Sequence, residues 1–262
     1  MKTAIIEVLE APITEAEVEA RLEELAKRYR SAGSLVIDVM NHVGGQADSV
    51  IERLPPAIQD GLATQTERAL NFALEGASKA GKGLPQGSSW MSVALTTTMG
   101  AAGGFGGLPT ALAELPVTTT VLLRVIQSIA EEHGFDASED SVRYDCIQVF
   151  AAAGPLESDD GADLAFLSTR VLVNGAAIKA LITRVAPRFG VVLGQKLAAQ
   201  TVPILGAAAG AATNYAYTSY YQDMAHVQFG LRRLAVRSDV GLAELTKRFR
   251  SKLEKPKLNR AG

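Results

Sequence analysis

Few residues in this chain have the type and spacing that chemistry needs. His226 stands three residues after Asp223, close enough on one helix for the carboxylate to orient the imidazole as a base. A hydrolase built on that pair would add a nucleophile. No serine sits in a GxSxG context, and Cys146, the single cysteine, has no reactive neighbourhood in sequence. His42 and His133 lie far from His226, and none of the three histidines has a second ligand at a spacing such as HExxH. His133 follows Glu131-Glu132 and precedes Gly134, so it reads as a structural or solvent-exposed residue at a helix end, favoured there by the helix dipole.

Two further residues stand in unexpected company. Arg124 lies within Val121-Leu122-Leu123-Arg124-Val125-Ile126, and a buried arginine there needs an acid or several carbonyls. Glu114 and Asp223 are the candidate acids; a structural ion pair is the plain reading, an anion or lipid-phosphate site the functional one. Asn214 either holds backbone in a helix pair or lines a cavity. Gly81-Lys82-Gly83 and Gly103 to Gly107 lack the GxxxxGK[ST] spacing of a P-loop, and no GxGxxG follows a strand pattern. The sequence implies no cofactor and no metal.

These side chains hang on helices. Thr14 and Glu17 form a capping-box pattern, and Val18, Leu22 and Leu25 recur at helical spacing up to Gly33. A second helix is expected from Ser34 to Leu54, weakened at Gly44-Gly45, and a third from Pro55-Pro56 to about Lys79. Pro116 suits the first turn of a helix that stops at Gly134. Ser138 is placed to cap the next, which Gly154-Pro155 ends. Asp160 or Ser158 opens another, expected to end before Pro187. The last helix spans about Val240 to Leu253. No regular strand series and no solenoid repeat appears, although a short strand at Thr3 to Val8 stays open. The fold class is therefore all-α: a single helical bundle domain with a central Gly/Ala-rich helix pair.

That pair is expected from two uncharged stretches, residues 85–113 and 197–222. Gly206 and Gly210 lie four apart, as do Ala207 and Ala211, a face that lets helix backbones approach closely. A spanning helix needs about 20 apolar residues. The strongly apolar part of the second stretch runs only from Val202 to Ala212, and the first is broken by glycines and Pro109. A soluble bundle and a protein resting part of this region in lipid both fit. The four tyrosines Tyr215, Tyr217, Tyr220 and Tyr221 fit either an interfacial belt or mixed packing.

With 47% hydrophobic and 21% charged residues, the chain reads as an ordinary globular protein rather than a disordered one. A mean hydropathy of +0.12 is low for a multi-span membrane protein. The net charge of −2 hides an asymmetry: residues 131–163 carry ten acids and one arginine, and the chain from Arg232 onward carries ten basic residues and three acids. Such a distribution orients a molecule at an anionic surface. Without an aromatic platform, nucleic acid is not the expected partner. The start has no signal-peptide core and one cysteine fits a reducing compartment, so the expected place is the cytoplasm, at or near the inner face of the membrane.

Several segments together resemble the EcsC family. They are Gly103-Gly104-Phe105-Gly106-Gly107, Glu114-Leu115-Pro116-Val117-Thr118-Thr119-Thr120 running into Leu123 to Ile126, His133-Gly134, Cys146 to Phe150, Val202 to Gly206, Asn214-Tyr215, and Ala225 to Leu234. The likeness covers roughly residues 80–237. It implies a helical protein and, because the family is named for a gene beside an ABC-type exporter, an accessory role near a membrane. It brings no catalytic residues. The expected parts are N-terminal amphipathic helices over residues 1–79, an EcsC-like core over 80–237, and a basic helix and tail over 238–262. The expected function is a non-enzymatic, membrane-proximal accessory or interaction protein. A soluble scaffold for a protein partner and a hydrolase with a site near Asp223 and His226 are its alternatives. The candidate binding residues are Arg124, Asn214, Asp223, His226, Arg232 and Arg233.

Overall fold

The structure is a computed structural model that describes residues 13–43, 54–79, 115–152, 167, 175–200 and 206–253. Its elements are α1 (Glu15–Ala32), α2 (Ser34–Val43), α3 (Pro56–Lys79), α4 (Leu115–Glu132), α5 (Asp140–Val149), α6 (Gly175–Gln200), α7 (Gly206–Ser238) and α8 (Leu242–Leu253). No strand occurs among the described residues, and the protein is an all-α bundle. The expected strand at Thr3 to Val8 and the uncharged stretch 85–113 lie outside them.

Local chemistry explains most helix ends. At the start of α1, Thr14 accepts from the Glu17 backbone N–H at 3.3 Å, and Glu17 accepts from the Thr14 N–H at 2.7 Å, so two free donors of the first turn are satisfied reciprocally. Burial then follows the apolar spacing: Val18, Leu22 and Ala26 are inside and the glutamates outside. Pro56 opens α3, where a missing N–H costs nothing. Ser138 does not cap α5; it turns back to Asp136, which accepts from both its N–H and its hydroxyl. Glu139 is the N-cap, without a side-chain bond.

At α6 the sequence expectation is overturned. The helix does not end before Pro187 but runs through it to Gln200. Pro187 is exposed, so its ring lies on the solvent side and water can satisfy the carbonyl left without a donor.

The long helix α7 is the axis. It touches α1, α2, α4, α5, α6 and α8. Its buried positions include Ala216, Tyr217, Tyr220, Tyr221, Met224, Val227, Phe229 and Leu231, which surround the helix instead of forming one stripe, as expected of a central helix. Three of the four clustered tyrosines are core residues and only Tyr215 is exposed. Tyr221 closes an aromatic knot with Phe150 and Phe189, at ring separations of 5.4 and 5.6 Å.

Helix α3 packs on α4 and α6. The tight small-residue crossing among the described residues lies here, on Gly190 and Gly194 of α6. A Cβ at Gly190 would sit 3.2 Å from Thr66 Oγ1 and 3.4 Å from the Ala63 nitrogen and Leu62 carbonyl carbon. The α6 backbone thus rests almost directly on that of α3. The sequence reading placed this kind of contact on Gly206 and Gly210, whose surroundings lie outside the described residues.

Gly190→Leu therefore forces α3 and α6 apart and should cost about 1–3 kcal/mol. Gly61→Ala, with nothing within 4 Å of the added Cβ, should instead gain roughly 0.5–1 kcal/mol from helix propensity. Urea midpoints of the two variants, moving in opposite directions from the parent, check both.

Candidate functional site

The polar chemistry of the bundle gathers where α1, α4 and α7 meet, and the end of α4 builds it. Gly134 has φ +84°, a left-handed conformation that glycine adopts without Cβ strain. The Gly134 N–H donates to the Glu131 carbonyl at 2.9 Å and the Phe135 N–H to the Ala130 carbonyl at 3.0 Å, the paired bonds of a Schellman cap. The turn leaves His133 half-buried beside α7 and sends Phe135 back over it.

His133 Nε2 lies 3.2 Å from His226 Nδ1, with the rings edge-on at 5.5 Å. One nitrogen donates and the other accepts, so at least one imidazole is neutral in this contact. Next to the pair, Arg28 of α1 donates to Asp223 at 2.9 Å. Burial pulls both imidazoles below their ordinary value. For His133 the Arg28 and Arg233 charges add to burial; for His226, Arg28 and His133 do, and it falls to about 4. Burial pushes the Asp223 carboxyl up, partly offset by Arg28. Glu131, near the same helix end, is also pushed up by burial, with Arg124 opposing and Asp136 assisting.

Nearly two turns beyond His226 on α7 the geometry is of another kind. Arg232 is 5% exposed, donates to Asp145 of α5 at 2.6 Å and reaches Ser141 at 3.4 Å. Its guanidinium carbon lies 4.3 Å from the centre of the Phe135 ring. A bidentate-capable cation, a carboxylate and an aromatic face make a buried polar lock between α5 and α7.

A third polar group lies between α4, α6 and α7. Lys196 is 4% exposed and donates to Thr118 Oγ1 at 3.4 Å. Asn214, Tyr217 and Thr218 line the same narrow cleft. Burial pushes the Tyr217 hydroxyl up.

The six residues singled out from sequence are thus dispersed. Asp223, His226 and Arg233 meet at the α1–α4–α7 junction. Asp223 faces Arg28 and His226 faces His133, so the two do not form the oriented base that their spacing suggested. Arg232 is held by Asp145. Arg124 donates to Gln127 on its own helix at 3.2 Å; Asp223 is engaged by Arg28, and Glu114, the other candidate acid, lies outside the described residues. Asn214 is buried in the Lys196 cleft. Sequence reasoning missed Arg28, whose partner lies 195 positions away, and underrated His133, 93 positions from His226. It also passed over Lys196. Arg28 and Lys196 look like surface residues by type, and only packing reveals them.

In chemical terms the junction can hold and release protons, and the single cysteine offers it no thiolate: the Cys146 thiol is fully buried and pushed far up by that burial. No group of three or more His, Cys, Asp or Glu able to share a metal ion occurs among the described residues.

The EcsC protein family model matches residues 87–234, more than half of the 262 residues, and the chain belongs to that family. Neither the curated proteins nor the solved structures gave a match. The matched span contains α4 to α6 and most of α7; α1, α2, α3 and α8 lie outside it.

Two predictions follow from the charges. Both imidazoles favour their neutral form in the fold, so their contribution to stability is complete above about pH 6.5, the unfolded value, and is lost as pH falls through their lowered values, for His226 about 4. Asp223 and Glu131 act oppositely, stabilising when protonated and losing that contribution as pH rises through their raised values. Melting temperature should fall across the imidazole window, and His133→Asn with His226→Asn should flatten the profile. Asp145→Ala leaves the Arg232 cation buried and should cost about 3–5 kcal/mol; replacing both partners together, Asp145→Leu with Arg232→Met, should cost clearly less in the same denaturant titration.

Proposed function

We propose that this EcsC-family protein is a non-enzymatic, membrane-proximal accessory protein that binds through an apolar surface groove. The observation that carries the reading is the groove itself. It has a volume of about 710 Å³ and runs along α3 to the start of α4, lined by Ile58, Leu62, Ala69, Phe72, Leu115 and Pro116. Phe72 is 58% exposed. An exposed aromatic side chain in an apolar concavity is a usual mark of an interaction surface. Arg68 also lines the groove and supplies a cation for an acidic partner or an anionic headgroup.

The reading takes the protein to the membrane from outside. No helix among the described residues is long and apolar enough to cross a bilayer. Family membership supports a place near an ABC-type exporter, at the cytoplasmic face. The soluble-scaffold alternative draws on the same groove and differs in its ligand, a protein helix instead of lipid. The hydrolase alternative has less support, because Asp223 and His226 are each turned to a different partner.

Flotation with phosphatidylcholine vesicles, with and without phosphatidylglycerol, separates these readings. The full chain should float with the anionic vesicles, and Phe72→Asp should reduce the bound fraction several-fold while leaving the melting temperature nearly unchanged. A protein that stays in the soluble fraction with both vesicle types overturns the membrane-proximal reading and leaves the scaffold.

A further inference from the structure

Helix α8 is built as an interfacial helix but is stored against the bundle. Leu245, Phe249 and Leu253, spaced by four, are buried, with the Phe249 ring edge-on to Tyr29 of α1 at 6.0 Å. The rest of α8 carries Lys247, Arg248, Arg250 and Lys252 against one acid, Glu244. An apolar stripe flanked by lysine and arginine is the composition of helices that lie in the headgroup region of anionic membranes.

An anionic surface is already present, within the protein. Glu15, Glu19 and Glu23 of α1 are also spaced by four and face α8. Arg248 pairs with Glu15 and, at 3.6 Å, with Glu19. Lys252 pairs with Glu19 at 2.6 Å and lies 3.9 Å from Glu23. Arg30 donates to the Lys252 carbonyl at 3.0 Å, covering the C-terminal end of α8. The two helices therefore run parallel with their charges in register. The hydrogen bond from Lys252 lowers the Glu19 carboxyl from its usual range, and the one to Glu15 raises the Arg248 guanidinium.

We propose that α8 is a releasable anchor for anionic lipid surfaces, held on the bundle by the Glu15–Glu19–Glu23 stripe of α1. The inference rests on the membrane-proximal reading and assigns it a second contact. Docked or released, the same three apolar side chains leave water, so the hydrophobic gain of α8 itself nearly cancels between the two states. What differs is which anions meet the cations, and the α1 and α7 surface that release uncovers. The three glutamates are 44–64% exposed, and exposed pairs of this kind are weak and screened by salt. A phosphate-bearing surface can replace them. Without lipid, release would uncover the α1 and α7 surfaces beneath α8, so the docked state prevails. The connection permits the motion: α7 ends at Ser238, Asp239 takes a left-handed φ of +57°, and Gly241 has open space around it. Both α1 and α8 lie outside the family-matched residues 87–234.

The test uses the full chain, flotation with phosphatidylcholine vesicles with or without phosphatidylglycerol, and amide hydrogen exchange. Removing the stripe with E15Q, E19Q and E23Q should raise anionic-vesicle affinity about tenfold, the scale expected for a cation released to an anionic surface, with no gain on phosphatidylcholine alone. Exchange in residues 242–253 should quicken in the free variant. Adding K247Q and R250Q, two exposed positions away from the α1 contacts, should remove the gain. Wild-type flotation that the glutamate changes leave unaltered, with α8 amides equally protected with and without vesicles, overturns the anchor while sparing the membrane-proximal reading. Failure of every variant to float overturns both.

Discussion

A helix with neighbours on every side buries polar groups at a cost unless a partner answers them, and α7 is under that constraint for most of its length. Its core positions are aromatic and aliphatic through Tyr217, Tyr221, Met224 and Phe229, yet Asn214, Thr218, Gln228 and Arg232 are buried among them. The strongest of the answers is the Arg232–Asp145 pair. Its desolvation is offset by a short charge-assisted bond and the Phe135 ring. The pair ties α5 to α7 and fixes their register, because shifting α7 by one residue would take the guanidinium off the carboxylate. The Schellman turn at Gly134 is part of the same arrangement, since it is what returns Phe135 over Arg232.

The second polar centre has a different character. Around His133 and His226 the charges are crowded: Arg28 and Arg233 add positive potential, and Asp223 is the acid in contact with Arg28. Such a setting holds imidazoles neutral. It also couples α1, which lies outside the family-matched span, to α4 and α7 inside it. Helix α1 is thus joined to the core by polar contacts at one end of its length and by Leu22, Ala26 and neighbouring apolar residues along it. Its outer acids meanwhile engage α8. One helix serves both as packing for the core and as an electrostatic partner for the terminal helix.

The arrangement separates two surfaces. The groove along α3 is apolar with a cation in its lining, whereas the α1–α8 face is charged with its apolar stripe turned inward. In the membrane-proximal reading, the groove is the standing contact and α8 the conditional one. The physical basis for that difference is whether apolar side chains are already exposed, as Phe72 is, or must be uncovered, as Phe249 must.

Helix positions were legible in the sequence because their signals are local. Thr14 and Glu17 are three residues apart, Pro56 and Pro116 mark first turns, Gly134 marks a stop, and the last helix, expected over about Val240 to Leu253, runs from Leu242 to Leu253. The all-α class and the family likeness follow from the same short-range patterns. What lay beyond them involved partners distant in the chain. Nothing near Arg28 announces Asp223, nothing near His133 announces His226, and Asp223 beside His226 suggests a pairing that Arg28 takes over. Pro187 looked like an end because a proline removes a donor; its solvent-facing position made that loss tolerable. Gly190 and Gly194 form a close crossing only because α3 lies against them. Caps and periodicity depend on neighbours within one or two turns, so the sequence alone determines them; which charges meet and which backbones touch depends on how whole helices stack, and only the tertiary structure decides that.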